Sequence, residues 1–355
     1  MSFSHLLIPH ALVDDAVAAP AARAALQATF KDAAPSRARG RWLPWLQDQL
    51  GEAPPRTRRL DAQGAVSAHE VILAQAQGLD PQAPPWAALR AHTLRLPDAG
   101  TTAWAFLTPA HWVLPQGVGQ TQVRLSDPSQ LQLDEAEARA FCVAMQPYFA
   151  EDGLTLHLDR PGQWLVCGEA LRGLRSPAPG RVLALGGDVA PWLPSSSPGA
   201  PLLRRLQNEM QMLLYTHAAN DAREARGLPS VNSFWLHGCG ALATAPEPQA
   251  PWIVLDSLSG PALHGHAHGD WRAWAEAWRE LDAQLAARMA VRMDKQEGAP
   301  TDPAQTPTRL VLCGLDTLVT SERSAPAAGA WWHRLRQRVR RGVQNQALAE
   351  LLVPA

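Results

Sequence analysis

An α/β fold, with a mainly parallel sheet flanked by helices and one antiparallel hairpin added to it, follows from three features of the sequence. Short apolar runs closed by Pro, Gly or Asp alternate with amphipathic stretches over much of the 355 residues. Two of these runs, 154–158 and 164–167, are separated only by Asp159-Arg160-Pro161-Gly162, which is the spacing of a hairpin. With 46% of residues hydrophobic, the chain is too apolar for disorder and long enough to bury a large core. One principal domain over 1–330 is expected, with 10–100 as a candidate N-terminal subdomain and 331–355 as a basic helical tail.

The first strand is the apolar run from Phe3 to Ile8, closed by Pro9. A helix over 14–30 follows, capped by Asp14 or Asp15, and then a short helix within the Arg/Trp/Pro-rich segment 35–55. Another short helix covers 68–77, and the prolines between 80 and 100 mark a surface connection. Thr101 to Thr108 reads as a strand leading into His111, and Gln120 to Leu125 as the next. Asp134 and Glu137, three apart, are the signature of a capping box for a helix to Phe149. That helix lays Ala138, Phe141, Cys142, Met145 and Phe149 on one face. Arg181 to Leu185 is expected to be a strand, as are Trp252 to Leu255 and Arg309 to Cys313. Between the last two, a long helix to about Met293 carries Trp271, Trp274 and Trp278 on one side.

Several function classes are disfavoured by the totals. A net charge of -1 provides no global field toward nucleic acid or membrane, so partners must be recognised locally. Cys142, Cys167, Cys239 and Cys313 form no CxxC pair, which points to reduced thiols in a cytoplasmic protein. No window approaches the roughly 20 continuous apolar residues of a membrane span, and the N-terminus lacks the charged start of a signal peptide. The basic run WWHRLRQRVRRG could face nucleic acid, although such helices are commonly solvated, and nucleic-acid binding ranks last.

The candidate site is the block from Pro201 to Gly240. Leu203, Leu206, Met210 and Leu213 lay one helix face on the core, while Arg204, Asn208, Gln211 and Tyr215 form a polar stripe. That stripe is either a solvated surface or a buried amide network. His217 and Asn220-Asp221 open a short helix with Arg223 and Arg226 on one face, and Gly227 stops it. Two guanidiniums so placed could clamp a phosphate or carboxylate, or be neutralised by Asp221, Glu224 and Glu209. Asn232, His237 and Cys239 follow on a strand running into Gly238-Cys239-Gly240. Ligands gather beyond strand ends of this kind, and a Cys239 nucleophile would need His237 as its base. The ligand-binding candidates are therefore His217, Asn220, Arg223, Arg226, Asn232, His237 and Cys239.

The run HAANDAREARGLPSVNSFWLHGCG resembles the His-Pro-Val-Asn, Arg, Gly, Pro-Ala-Asn and Gly-x-Gly segment of archaeal-type cofactor-independent phosphoglycerate mutases of the alkaline phosphatase superfamily. Together with RLQNEMQMLLYTH and the HW and SDP segments, it is similar over most of the chain to bacterial phosphoglycerate mutase-like proteins of the RpfE-type regulatory group. The resemblance implies an alkaline-phosphatase-like fold and sets His217, Asn220, Arg223, Gly227, Pro229, Asn232, Gly238 and Gly240 on the shared pattern. Ala218 and His237 depart from it, standing where the mutases have proline and arginine. Those mutases use two divalent cations and a phosphoryl-carrying serine, which requires an Asp-Gly after the first strand. Here that strand ends in Ile8-Pro9-His10.

His264, His266 and His268 alternate in a Gly-rich segment before Asp270, and Asp270 as a helix cap accounts for that segment without a metal. The expectation is a degenerate, non-catalytic relative without cofactor or metal, binding a phosphorylated or carboxylate small molecule or serving as a regulatory protein. The alternative is an active metal-dependent phosphomutase or phosphatase, drawing on His111, His237, Asp256, His264 and His268.

Overall fold

The computed structural model describes residues 5–31, 40–61, 64–113, 122–195, 197–243, 252–294, 308–322 and 344–354. The chain packs as two compact units: 1–69 with 249–355, and 70–248 between them. The single principal domain expected over 1–330 spans parts of both units. The basic run of the tail, 331–343, lies outside the described residues, and 345–352 is a helix.

The first unit opens with β1 (His5–Ile8), α1 (Ala19–Lys31), α2 (Pro44–Glu52) and β2 (Arg56–Arg59). Asp14 and Asp15 do not begin α1 as expected. Asp15 Oδ1 accepts from Val17 N at 3.0 Å in a turn before the helix. Asp14 spends both carboxylate oxygens on Leu315 N and Asp316 N, each at 2.9 Å, and so fixes the turn after a distant strand.

Between the two halves of the first unit come α3 (Ala68–Ala76), α4 (Trp86–Thr93), β3 (Trp104–Ala110), β4 (Trp112–Val113), β5 (Arg124–Leu125), α5 (Glu135–Glu151), β6 (Thr155–Arg160), β7 (Gln163–Cys167), α6 (Pro179–Ala184), α7 (Ala200–Tyr215), α8 (Ala218–Glu224) and β8 (Ser233–Gly240). The chain then returns with β9 (Trp252–Val254), α9 (Ser259–His268), α10 (Arg272–Asp294), β10 (Arg309–Cys313) and β11 (Thr317–Glu322). No helix among the described residues is long and apolar enough to cross a membrane.

The five-stranded sheet of the first unit has the order β2-β11-β10-β1-β9. It is mixed rather than mainly parallel. β1 runs parallel to β10 and β9, whereas the tight turn between β10 and β11 forces an antiparallel return, and β2 joins β11 antiparallel as well. The central strand β1 is apolar throughout its buried residues, as a strand covered on both faces must be. On one side the core runs through Leu26 and Phe30 of α1, Leu46 of α2 and the α10 tryptophans. Those indoles also bond: Trp274 Nε1 donates to His10 O at 2.9 Å and Trp278 Nε1 to Ala11 O at 3.1 Å. Part of the tryptophan content thus secures the segment that leaves β1.

The second unit is built on an antiparallel sheet, β6-β7-β3-β8, with β6 and β7 joined at 160–163. α5 and α7 cover one face through Phe141, Met145, Phe149, Leu206 and Met210, and α4 covers part of the other. The capping box at α5 forms with both hydrogen bonds, Glu137 N to Asp134 Oδ1 at 2.8 Å and Asp134 N to Glu137 Oε2 at 3.3 Å. The segment expected as a strand at 181–185 is α6 instead. Pro179 in its first turn presets the backbone for a helix, and Gly186 and Gly187, both at positive φ, end it.

Candidate functional site

The residues of the central block are almost all occupied in holding the second unit together. Asn220 is buried, and its amide donates to Leu214 O at 2.8 Å and Val231 O at 2.7 Å while accepting from Val231 N at 2.9 Å. Asn232 does the same at the strand mouth, accepting from Trp112 N at 2.7 Å and donating to Trp112 O at 2.9 Å. His217 is the N-cap of α8, its Nδ1 accepting from Ala219 N at 3.2 Å, with its ring against Phe141. His111 Nδ1 lies 2.7 Å from Ser230 O, a loop-closing bond rather than a ligand contact. These side chains act as struts between β3, α7, α8 and β8.

Arg223 is fully buried. Its guanidinium donates to Pro229 O at 2.9 Å, to Glu137 Oε2 at 2.7 Å and to Leu131 O. Arg226, half exposed, reaches the other oxygen of the same carboxylate. The neutralising group is therefore Glu137, at the start of α5, and not Asp221, Glu224 or Glu209. Glu209 sits beside Arg205 instead, 3.5 Å away. The shared face expected for Arg223 and Arg226 exists, and a protein carboxylate fills it. The stripe of Arg204, Asn208, Gln211 and Tyr215 is solvent-exposed along its length.

His237 and Cys239 do not face each other. The register of β8 on β3 shifts between Trp104 and Phe106, and Gly238 stands at a φ of 61°, so an extra residue enters the strand. A Cβ at Gly238 would meet Phe106 at 3.1 Å and Trp86 at 3.2 Å. This bulge inverts the alternation. His237 stays on the Phe106 side, with ring centroids 5.2 Å apart, and Cys239 turns into the core beneath Ala105 and Leu107. Burial pushes the Cys239 thiol up to about 12. His237, whose Nε2 lies 3.2 Å from Thr108 Oγ1, keeps an exposed edge, yet desolvation and then Arg160 lower its pKa to about 4. A nucleophile and base pair is thus absent at this strand end.

A cluster the sequence analysis did not single out lies at the carboxyl end of β1 in the first unit. His10 is buried and stands at a φ of 52°, an uncommon conformation for a residue with a side chain. Its ring centroid is 5.5 Å from that of His69, and His266 of α9 is close enough to act on it electrostatically. Burial, and then these two imidazoles, lower the His10 pKa to about 3. Asp14 and Asp15 act on His266 in the opposite sense, against a larger desolvation that lowers it. The signal available was His10 itself, the first polar residue after a central strand.

The histidines at 264–268 lie on a helix rather than an extended segment. The rings of His264 and His268 lie tilted against each other across one turn, 4.6 Å between centroids, on the exposed side, and His266 packs edge-on to Trp271 at 4.8 Å. Asp270 bonds Arg272 through its backbone and side chain, holding the entry to α10, and is kept well below the usual carboxylate range by that arginine. Asp256 is exposed and accepts from Ser259 Oγ. The five scattered catalytic candidates therefore belong to different units, His111 and His237 to one and Asp256, His264 and His268 to the other. Among the described residues no group of three His, Cys, Asp or Glu is placed to hold a metal ion. Asp14, the acid nearest to following β1, has both oxygens committed to backbone donors, so the described residues do not fit a two-metal centre.

No protein-family model matches the chain, and no curated protein does. Among solved structures, one from Pyrococcus horikoshii is similar at 11% identity and a TM-score of 0.42, over 91% of this chain and 88% of that one. A cofactor-independent phosphoglycerate mutase from Thermoplasma acidophilum is similar at 10% identity and a TM-score of 0.36, over 98% of this chain and 95% of that one.

Proposed function

We propose that this protein is a non-catalytic relative of the metal-dependent phosphoglycerate mutases, of the RpfE-type regulatory kind and cytoplasmic, that binds a small phosphorylated or carboxylate ligand or a partner without transforming it. The observation that carries this reading is the saturation of the motif residues. Arg223, Asn220 and Asn232 direct their polar atoms to groups of their own chain, and a guanidinium so engaged has no fork left for a substrate. The likeness in motif then reflects a retained scaffold whose polar residues have become fold-holding.

The cluster of His10, His69 and His266 beside Asp14 and Asp15 favours a second reading, an active phosphatase or mutase, because it follows the carboxyl end of β1, which runs parallel to both its neighbours, and ligands gather beyond such strand ends. Hydrolysis of p-nitrophenyl phosphate with manganese, measured beside the metal content of the purified protein, separates the two. No turnover above background is expected. Metal-dependent turnover that disappears in His10→Ala would replace the first reading with the second.

A further inference from the structure

The outermost strand of the five-stranded sheet presents an arrangement of charge that the fold does not use. β2 is the sequence Arg-Thr-Arg-Arg, exposed at every residue, and among the described residues it pairs on one side only, with β11. Several exposed arginines elsewhere have a carboxylate in reach: Arg90 has Asp159, Arg172 has Glu169 and Arg272 has Asp270. Among the described residues no ion pair involves Arg56, Arg58 or Arg59. The residues opposite them on β11 are Thr320, Leu318 and Thr317, which offer no negative charge.

The geometry points to β2 as a docking edge for an extended acidic peptide segment of a partner protein, added as a sixth strand. An edge strand leaves the N–H and C=O groups of alternate residues without a ladder partner, and a peptide backbone satisfies them. Side chains alternate in face, so Arg56 and Arg58 project together about 7 Å apart while Arg59 projects oppositely. Opposite charges directly across a strand pair attract. A peptide entering antiparallel therefore meets Arg59, Arg58, Thr57 and Arg56 in turn, and its matching pattern is acidic-acidic-x-acidic. A single charge would suffice to discourage edge-to-edge association, whereas three with this phasing select a partner of opposite charge. The inference stands apart from whether the protein is catalytic, since it uses neither the histidine cluster nor the central block.

The test is fluorescence anisotropy of a fluorescein-labelled Thr-Val-Glu-Glu-Val-Glu-Val-Thr peptide against the full chain. Saturable binding is expected, weakened at least tenfold by the combined Arg56→Ser, Arg58→Ser and Arg59→Ser substitutions. It should weaken at least tenfold again for a peptide N-methylated through its central four residues. Far-UV circular dichroism of the triple variant should match the parent, because all three side chains lie on the surface. Absence of saturation at about 1 mM peptide overturns the inference. So does equal competition by heparin and by the N-methylated peptide, which would reduce the arginines to general polyanion attraction and edge protection.

Discussion

The central block of the second unit and the segment following β1 in the first are both rich in polar residues near strand ends, and they differ in how those residues are satisfied. Around Asn220 and Arg223 the polar atoms close on backbone carbonyls, amides and one carboxylate. Around His10 the ring of His69 lies 5.5 Å away and His266 acts electrostatically, and burial leaves His10 neutral near neutral pH. Residue type alone marks both places. Satisfaction is what marks a strut, because a buried polar atom with its partners in place is costly to disturb.

The sharpest way to break this comparison is to remove a strut. Arg223→Leu leaves Glu137 and two carbonyls without their buried partner, and a loss of about 3–5 kcal/mol is expected in urea denaturation. A loss below about 1 kcal/mol would mean that the guanidinium is held for some other purpose.

Next come two pH dependences of opposite sign within the first unit. The His10 pKa falls on folding from 6.5 to about 3, so its stabilising neutrality is present above the unfolded pKa and is lost as pH drops through that interval. His10→Gln should therefore flatten the acid side of the stability profile by a few kcal/mol, on the order set by such a shift. Asp282 behaves inversely. Its oxygens accept from Leu46 N at 2.8 Å and Trp45 N at 3.2 Å, and burial raises its pKa from 3.8 to about 6. Its contribution is complete below the unfolded pKa and declines as pH rises to 6, by about 3 kcal/mol. Asp282→Asn should remove that decline, and chemical denaturation at pH 4, 5, 6 and 7 measures both variants. A parallel response of the two variants would contradict the assigned environments.

The smallest effect sharpens the bulge in β8. Gly238→Ala places a side chain at positive φ against Phe106 and Trp86, and a cost of about 1–2 kcal/mol is expected in the same denaturation. An unchanged midpoint would indicate that β8 can straighten, which would return Cys239 to the side of His237.

What the sequence makes legible is local. The Asp134 and Glu137 box, the apolar faces of α5 and α7, and the strands at β1 and β10 all follow from spacing within one element. Three features depend on something else. The partner of Arg223 is 86 residues away, and no local pattern chooses Glu137 over the nearer acids. The phase of β8 turns on one glycine, so strict alternation assigns Cys239 to the wrong face. The segment 181–185 is too short for apolar periodicity to distinguish strand from helix, and Pro179 decides it. The saturation of the motif residues is likewise a tertiary property, which is why the block read equally well as a site.

Glu137 caps its own helix and receives both Arg223 and Arg226, which arrive only after 86 and 89 further residues have been made. During synthesis the first turn of α5 must wait for that distant stretch before its latch can close, and closing so long a loop is slow in entropy terms. Maturation of this unit should accordingly be governed by the arrival of α8 rather than by any helix forming alone.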